Sequence, residues 1–69
     1  MERTQVTSTD IVSVGYDPDQ ELLEVEFVRG AVYQYSGVPK AVYDGIMAAD
    51  SKGKYFHANV KNVYPFLKL

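Results

Sequence analysis

The sequence predicts an α+β fold: a three-stranded antiparallel β-meander followed by two short helices packed on one face, in the order β-β-β-α-α. Three observations carry that prediction. Apolar and polar residues alternate through residues 12–16 and 23–27, the period of a strand with one buried face. The turn residues Asp17-Pro18-Asp19-Gln20 and a glycine at position 30 separate the apolar runs. After Pro39 the apolar spacing changes to three and four residues, the period of a helix.

Residues 1–10, MERTQVTSTD, are polar and without pattern. They are expected to form a flexible arm ahead of a single domain spanning 11–69. In the first strand Val12, Val14 and Tyr16 fall on one side, with Ser13 and Gly15 on the other. Pro18 presets φ at the second position of the following turn. In the second strand Leu23, Val25 and Phe27 share a face, and Glu24 and Glu26 mark the wet side.

The next hairpin decides where Tyr33 and Tyr35 point. A two-residue loop, Arg29-Gly30, would set both tyrosines opposite the glutamates. A three-residue loop, Val28-Arg29-Gly30, with a left-handed glycine in a G1 bulge, pairs Val25 with Tyr33 and Leu23 with Tyr35. A slip of one residue turns the whole strand over, so only one register is right. The three-residue loop is predicted, because it buries two rings of about 150–250 Å² each.

Pro39 suits the first position of a helix, where its missing N–H costs nothing. Val42, Tyr43, Ile46, Met47 and Ala49 then make the buried stripe, while Lys40, Asp44 and Ala48 point away. Gly45 in mid-helix costs about 1 kcal/mol relative to alanine and predicts close backbone contact with the sheet. Ser51 is the expected N-cap of a second helix running to Lys61 and presenting Tyr55, Phe56 and Val60. Pro65 excludes a helix in the tail NVYPFLKL, which is expected to lie extended across the core.

Length and composition exclude much. A chain of 69 residues supports one core, which rarely supplies more than roughly 3–5 kcal/mol of net stability. Without cysteine, and with His57 as the sole histidine, neither a disulfide nor a tetrahedral zinc site is available, and no metal or cofactor is expected. No apolar run approaches membrane-spanning length and no signal-peptide core is present, so a soluble, cytoplasmic protein is expected. No small-molecule substrate is evident.

Catalytic motifs fail in turn. A nucleophile needs an adjacent base, and His57 sits among aromatic residues with no motif beside it. Asp17, Asp19 and Glu21 lack the glycine and ligand spacing of a calcium loop. Gly53-Lys54 is followed by Tyr55 where a phosphate-binding loop needs Ser or Thr. A non-enzymatic domain is expected.

Charge is divided along the chain. Residues 1–50 carry nine acids against Arg3, Arg29 and Lys40, a balance of −6; residues 51–69 carry four lysines and no acid. That basic segment interleaves the lysines with Tyr55, Phe56, His57, Tyr64 and Phe66. Lysines contact phosphates and aromatic faces stack on unpaired bases, so Lys52, Lys54, Lys61 and Lys68, with Tyr55 and His57, are the candidate nucleic-acid contacts. Tyr33 and Tyr35 read first as core and second as a ligand platform.

The runs VGYDPDQELLEVEF, GAVYQYSGVP and AADSKGKYF, with the ending Val63-Tyr64-Pro65-Phe66, resemble the KTSC family. These small domains are named for the C-terminal domain of some lysyl-tRNA synthetases and also occur as free-standing bacterial proteins. The resemblance covers roughly Ser8 to Leu69 and is carried most specifically by Tyr33 and Tyr35, Gly37 and Pro39, and Ser51 and Gly53. It implies a free-standing bacterial domain of no established activity, with an RNA-binding role suggested by attachment to a tRNA-charging enzyme. The expected partner is therefore RNA, either tRNA or a single strand. The alternative is a protein-interaction module that pairs at a sheet edge, with Glu24 and Glu26 steering a basic partner.

Overall fold

The computed structural model describes all 69 residues. The strands are β1 (Arg3–Gln5), β2 (Ile11–Asp17), β3 (Leu22–Phe27), β4 (Val32–Ser36) and β5 (Phe66–Lys68). Helices α1 (Lys40–Ala48) and α2 (Lys52–Asn59) lie between β4 and β5 in the chain. All neighbouring strands are antiparallel, in the spatial order β1-β2-β3-β4-β5. No helix is long and apolar enough to cross a membrane.

The α+β class and the two helices agree with expectation, but the sheet has five strands where three were expected. Part of the N-terminal segment expected as a loose arm pairs with β2 as an edge strand, Arg3 opposite Gly15. The tail does not cross the core: it pairs with β4 at the other edge, Phe66 opposite Tyr35 and Lys68 opposite Tyr33. Three-residue strands leave almost no periodicity to read, and their hydrogen-bond partners come from distant sequence.

The hairpin follows the predicted register, Val25 opposite Tyr33 and Leu23 opposite Tyr35. Gly30 has φ +95°, a left-handed conformation that a side chain rarely tolerates. Phe27 and Ala31 close the loop through a 2.9 Å bond from the Phe27 N–H. In the β2–β3 turn the Asp17 carboxylate accepts from the amides of Asp19 and Gln20, the Asx arrangement that makes Asp a turn residue.

Two expectations in β2 and β3 are corrected. A register shift between Ile11 and Ser13 makes Val12 a bulge, so Ile11 joins Val14 in the core and Val12 is left only half-buried. Glu24 is not on a wet side, being only 8% exposed. Arg3 reaches across Gly15 to donate from Nη1 to Glu24 Oε1 at 2.7 Å, and Gln34 donates to the other oxygen at 3.2 Å. Ser13 accepts from Arg3 Nε and donates to Glu26. A Cβ at Gly15 would stand 2.7 Å from the Glu2 carbonyl and 2.9 Å from Arg3 Cγ, so only glycine lets β1 lie this close. That face of the sheet is a charge-paired network.

The opposite face holds the core. Val14, Leu23, Val25, Val38, Ile46, Phe56 and Val60 are buried there with Ile11 and Tyr35. Ile46 is the buried residue of the α1 stripe, with Val42, Tyr43 and Met47 packed partly against the core, and Lys40 pairs with Asp44 on the outside. Pro39 occupies the N-cap, one position earlier than expected. Its φ of −67° with ψ 152° makes it the last extended residue before the helix. The Tyr16 hydroxyl donates to the Val38 carbonyl and stacks on Tyr43, which ties α1 to β2. Ser51 caps α2 as expected, its hydroxyl accepting from the Lys54 N–H. The helix ends at Asn59, short of Lys61, where Asn62 turns the chain with φ +64°.

Candidate functional site: an aromatic cleft with a basic rim

The sheet, the loop after β3 and the end of α2 enclose a cleft of about 290 Å³. Its apolar lining consists of five rings: Phe27, Tyr33, Tyr35, Phe56 and Phe66. Its polar lining is Arg29, His57, Lys61 and Asn62, with no carboxylate among them. Each position has a local cause. Arg29 projects from the tight loop that Gly30 permits, and Phe66 is placed by pairing of β5 with β4. His57 follows buried Phe56 on α2, while Lys61 and Asn62 lie just beyond Val60, which anchors the helix end.

The two tyrosines divide between the roles proposed for them. Tyr35 is core, only 3% exposed, with Phe56 edge-on at 5.4 Å. Tyr33 is half-buried and stacks on Phe66, the centroids 5.4 Å apart and the planes at 13°. Phe66 is 61% exposed, so the pair ends in a ring open to solvent. Gly37, with φ +74°, turns the chain out of β4 toward α1.

Burial has an electrostatic consequence. Loss of hydration pushes the Tyr35 phenol up from 10.0 to about 12, with neighbouring Tyr33 acting in the same direction. Tyr16 is also raised, by burial first and by Glu21 second. A tyrosine whose pKa is raised by folding contributes its full stability below its unfolded value and loses it as pH climbs through the folded one. The unfolding midpoint is therefore expected to hold to about pH 10 and fall toward pH 12, Tyr35 accounting for about 2–3 kcal/mol. Denaturant titrations across that range check this. Tyr35→Phe should flatten the fall, and profiles identical to the parent would place the alkaline loss elsewhere.

The expected nucleic-acid contacts separate in space. His57 and Lys61 line the cleft, and Lys68 stands opposite Tyr33 on β5. Lys52 is otherwise engaged: its ammonium donates to the Met47 and Ala49 carbonyls at 3.2 and 3.0 Å, closing the end of α1. Lys54 is exposed on α2 but is not part of the cleft lining. Tyr55 packs over Gly45, so the glycine answers to α2 where contact with the sheet was expected. Gly53 is buried against the Asp10 carboxylate, which places the Ser51-x-Gly53 step at the start of α2.

Arg29 and Asn62 are the polar lining residues that sequence reasoning missed. Arg29 read as a turn residue, and Phe66 was one of the rings of the basic segment without being singled out as a contact. The one available signal was that Arg29 is the only cation between Arg3 and Lys40, a stretch with six acids. Arg3 and Lys40 form the two ion pairs of the fold and Lys52 is held by carbonyls, which leaves Arg29, Lys54, Lys61 and Lys68 with neither kind of partner. No group of three or more His, Cys, Asp or Glu side chains is arranged to hold a metal.

Comparison with known proteins gives a consistent picture. The KTSC domain model matches residues 7–64. An uncharacterised protein of Stutzerimonas stutzeri is 46% identical over 57 residues, covering 83% of this chain and 80% of that protein. A lysine–tRNA ligase of a Nostoc species is 37% identical over 54 residues, 78% of this chain but only 10% of the ligase. The crystal structure of a KTSC domain protein from Yersinia pestis superposes with a TM-score of 0.94 at 40% identity, covering 99% of this chain and 96% of that one.

Proposed function

The chain belongs to the KTSC domain family, and from that premise we propose that it is a small non-enzymatic domain that binds single-stranded RNA weakly through the aromatic cleft. The observation that carries this is the Tyr33–Phe66 stack, ending in an exposed ring and bordered by Arg29, His57 and Lys61. An aromatic face accepts any unpaired base, and cations beside it accept the phosphates on either side. Similarity to part of a lysine–tRNA ligase supports RNA as the polymer, and the cytoplasm is the compartment where it would be met.

Arg29, Lys61 and Lys68 give about three phosphate contacts, which predicts a log–log salt slope of about −2 on a single strand. Titration of labelled tRNA and of a single-stranded oligomer at two salt concentrations measures it. Phe66→Ala should weaken binding by roughly 5- to 160-fold, the range of one base stack, without loss of the fold. Absence of binding in the high micromolar range at low salt would remove the proposal.

A second reading rests on β5. Four of the six large apolar residues that stand exposed, Val63, Phe66, Leu67 and Leu69, lie in this edge segment, and an unguarded edge accepts another strand. Steering by Glu24 has little part in it, since Arg3 and Gln34 already hold that carboxylate. A concentration-dependent dimer in light scattering, with no nucleic-acid binding, would favour this reading.

A further inference from the structure

We propose that the ligand spans two adjoining hollows, so that the smallest RNA unit the protein takes is a dinucleotide whose joining phosphate lies over Arg29 and His57. This rests on the RNA-binding reading above and adds to it a second base site and a path for the strand. Beside the aromatic cleft lies a second hollow of about 330 Å³, lined by Asp10, Phe27, Val28, Arg29 and His57. Phe27, Arg29 and His57 also line the cleft, so the two spaces meet at a shared wall. The cleft, at about 290 Å³, lies at the lower end of small-molecule pockets, roughly 300–1,000 Å³, and one base with its sugar fills it. The next nucleotide needs a place of its own, and the neighbouring hollow is of similar size.

Charge is sorted along that path. The shared wall holds a guanidinium, whose fork of N–H donors matches phosphate oxygens, and an imidazole, which donates at least one more N–H. Arg29 belongs to neither ion pair of the fold, although Asp10 lines the same hollow. Both Arg29 and His57 are exposed. In the second hollow Phe27 and the exposed Val28 offer a small apolar surface to a base. Asp10 is the one acid lining either space, and its carboxylate lies against Gly53 at the start of α2. A negative group there repels a further phosphate. The strand therefore begins in this hollow, crosses the wall and leaves past Lys61 at the cleft and Lys68 on β5.

The wall stands ready before a ligand arrives. The Val28 N–H donates to the Asp10 carbonyl at 2.9 Å, the Gly30 N–H to the Phe27 carbonyl at 2.8 Å, and the Phe27 N–H to the Ala31 carbonyl at 2.9 Å. These bonds fix the loop that carries Arg29 against the residue before β2. A backbone already in place loses less freedom on binding.

Nothing in this arrangement depends on which bases are bound, so one base serves for the test. Amide resonances of the whole chain are followed in titrations with UMP, with UpU, with UpU joined by an uncharged methylphosphonate, and with a longer U oligomer. UMP should shift Tyr33 and Phe66. UpU should shift Asp10 and Val28 as well and bind about tenfold more tightly, within the range of one further stacked base. Removing the charge of the link should cost about tenfold, as for a hydrogen bond to a charged group. In the double variant Arg29→Ala with His57→Ala, whose parent side chains are exposed, that cost should fall within about twofold. UpU no tighter than UMP, or a U oligomer that shifts Tyr33 and Phe66 but not Asp10 and Val28, overturns the second base site and leaves RNA binding at the cleft standing. An uncharged link that binds as well as the natural one, or a charge effect retained in the double variant, overturns the place given to the phosphate. Resonances of both hollows unmoved by every ligand would overturn the RNA reading as well.

Discussion

Phe56→Ala is expected to unfold the protein at ordinary temperature. Phe56 is 2% exposed and meets Phe27 at 5.3 Å and Tyr35 at 5.4 Å, both edge-on. It is the side chain through which α2 enters the core. Truncating such a ring costs about 3–5 kcal/mol, made of lost transfer energy and the cavity left behind. That equals the whole net stability to be expected of a core this small, roughly 3–5 kcal/mol. Circular dichroism and denaturant unfolding measure it. Phe56→Leu, which keeps most of the volume, should remain folded with a lower midpoint; an alanine variant as stable as the parent would show that α2 is not held by this ring.

The second large effect is expected at Gly45. A Cβ there would fall inside the phenol of Tyr55, so valine forces the ring from its place between α1 and α2. Overpacking of this kind costs about 1–3 kcal/mol and occasionally more, and valine brings little helix propensity to offset it. A loss of about 3 kcal/mol is expected. The double variant Gly45→Val with Tyr55→Ala separates causes. If the clash is the cause, the second substitution costs less in the valine background than in the parent. Strict additivity would mean that Gly45 acts on the helix alone.

Tyr55 also shows how a composition argument misplaces a site. As an aromatic among lysines it reads as a stacking ring, yet it is used to join the two helices. Lys52 follows the same pattern, its charge consumed by the carbonyls at the end of α1. His57 and Lys61 were legible only through the same interleaving of basic and aromatic residues, and they reach the cleft because Phe56 and Val60 are buried beside them. Arg29 was not legible, since nothing in a three-residue loop says what it will face. Only the approach of α2 and β5 makes that loop a wall of a cleft.

The sequence by itself determined the parts whose causes are local. Turn chemistry at Asp17 and Gly30 set the register of β2, β3 and β4, a hydroxyl at Ser51 started α2, and apolar spacing oriented α1. Tertiary structure alone decided the two edge strands, the bulge at Val12, the burial of Glu24 beneath Arg3, and the cleft. Each of these depends on groups 10 or more residues apart, such as Arg3 with Ser13 or Tyr33 with Phe66. A short segment acquires such a conformation from the partner it meets, and its own residues carry no periodic record of that meeting.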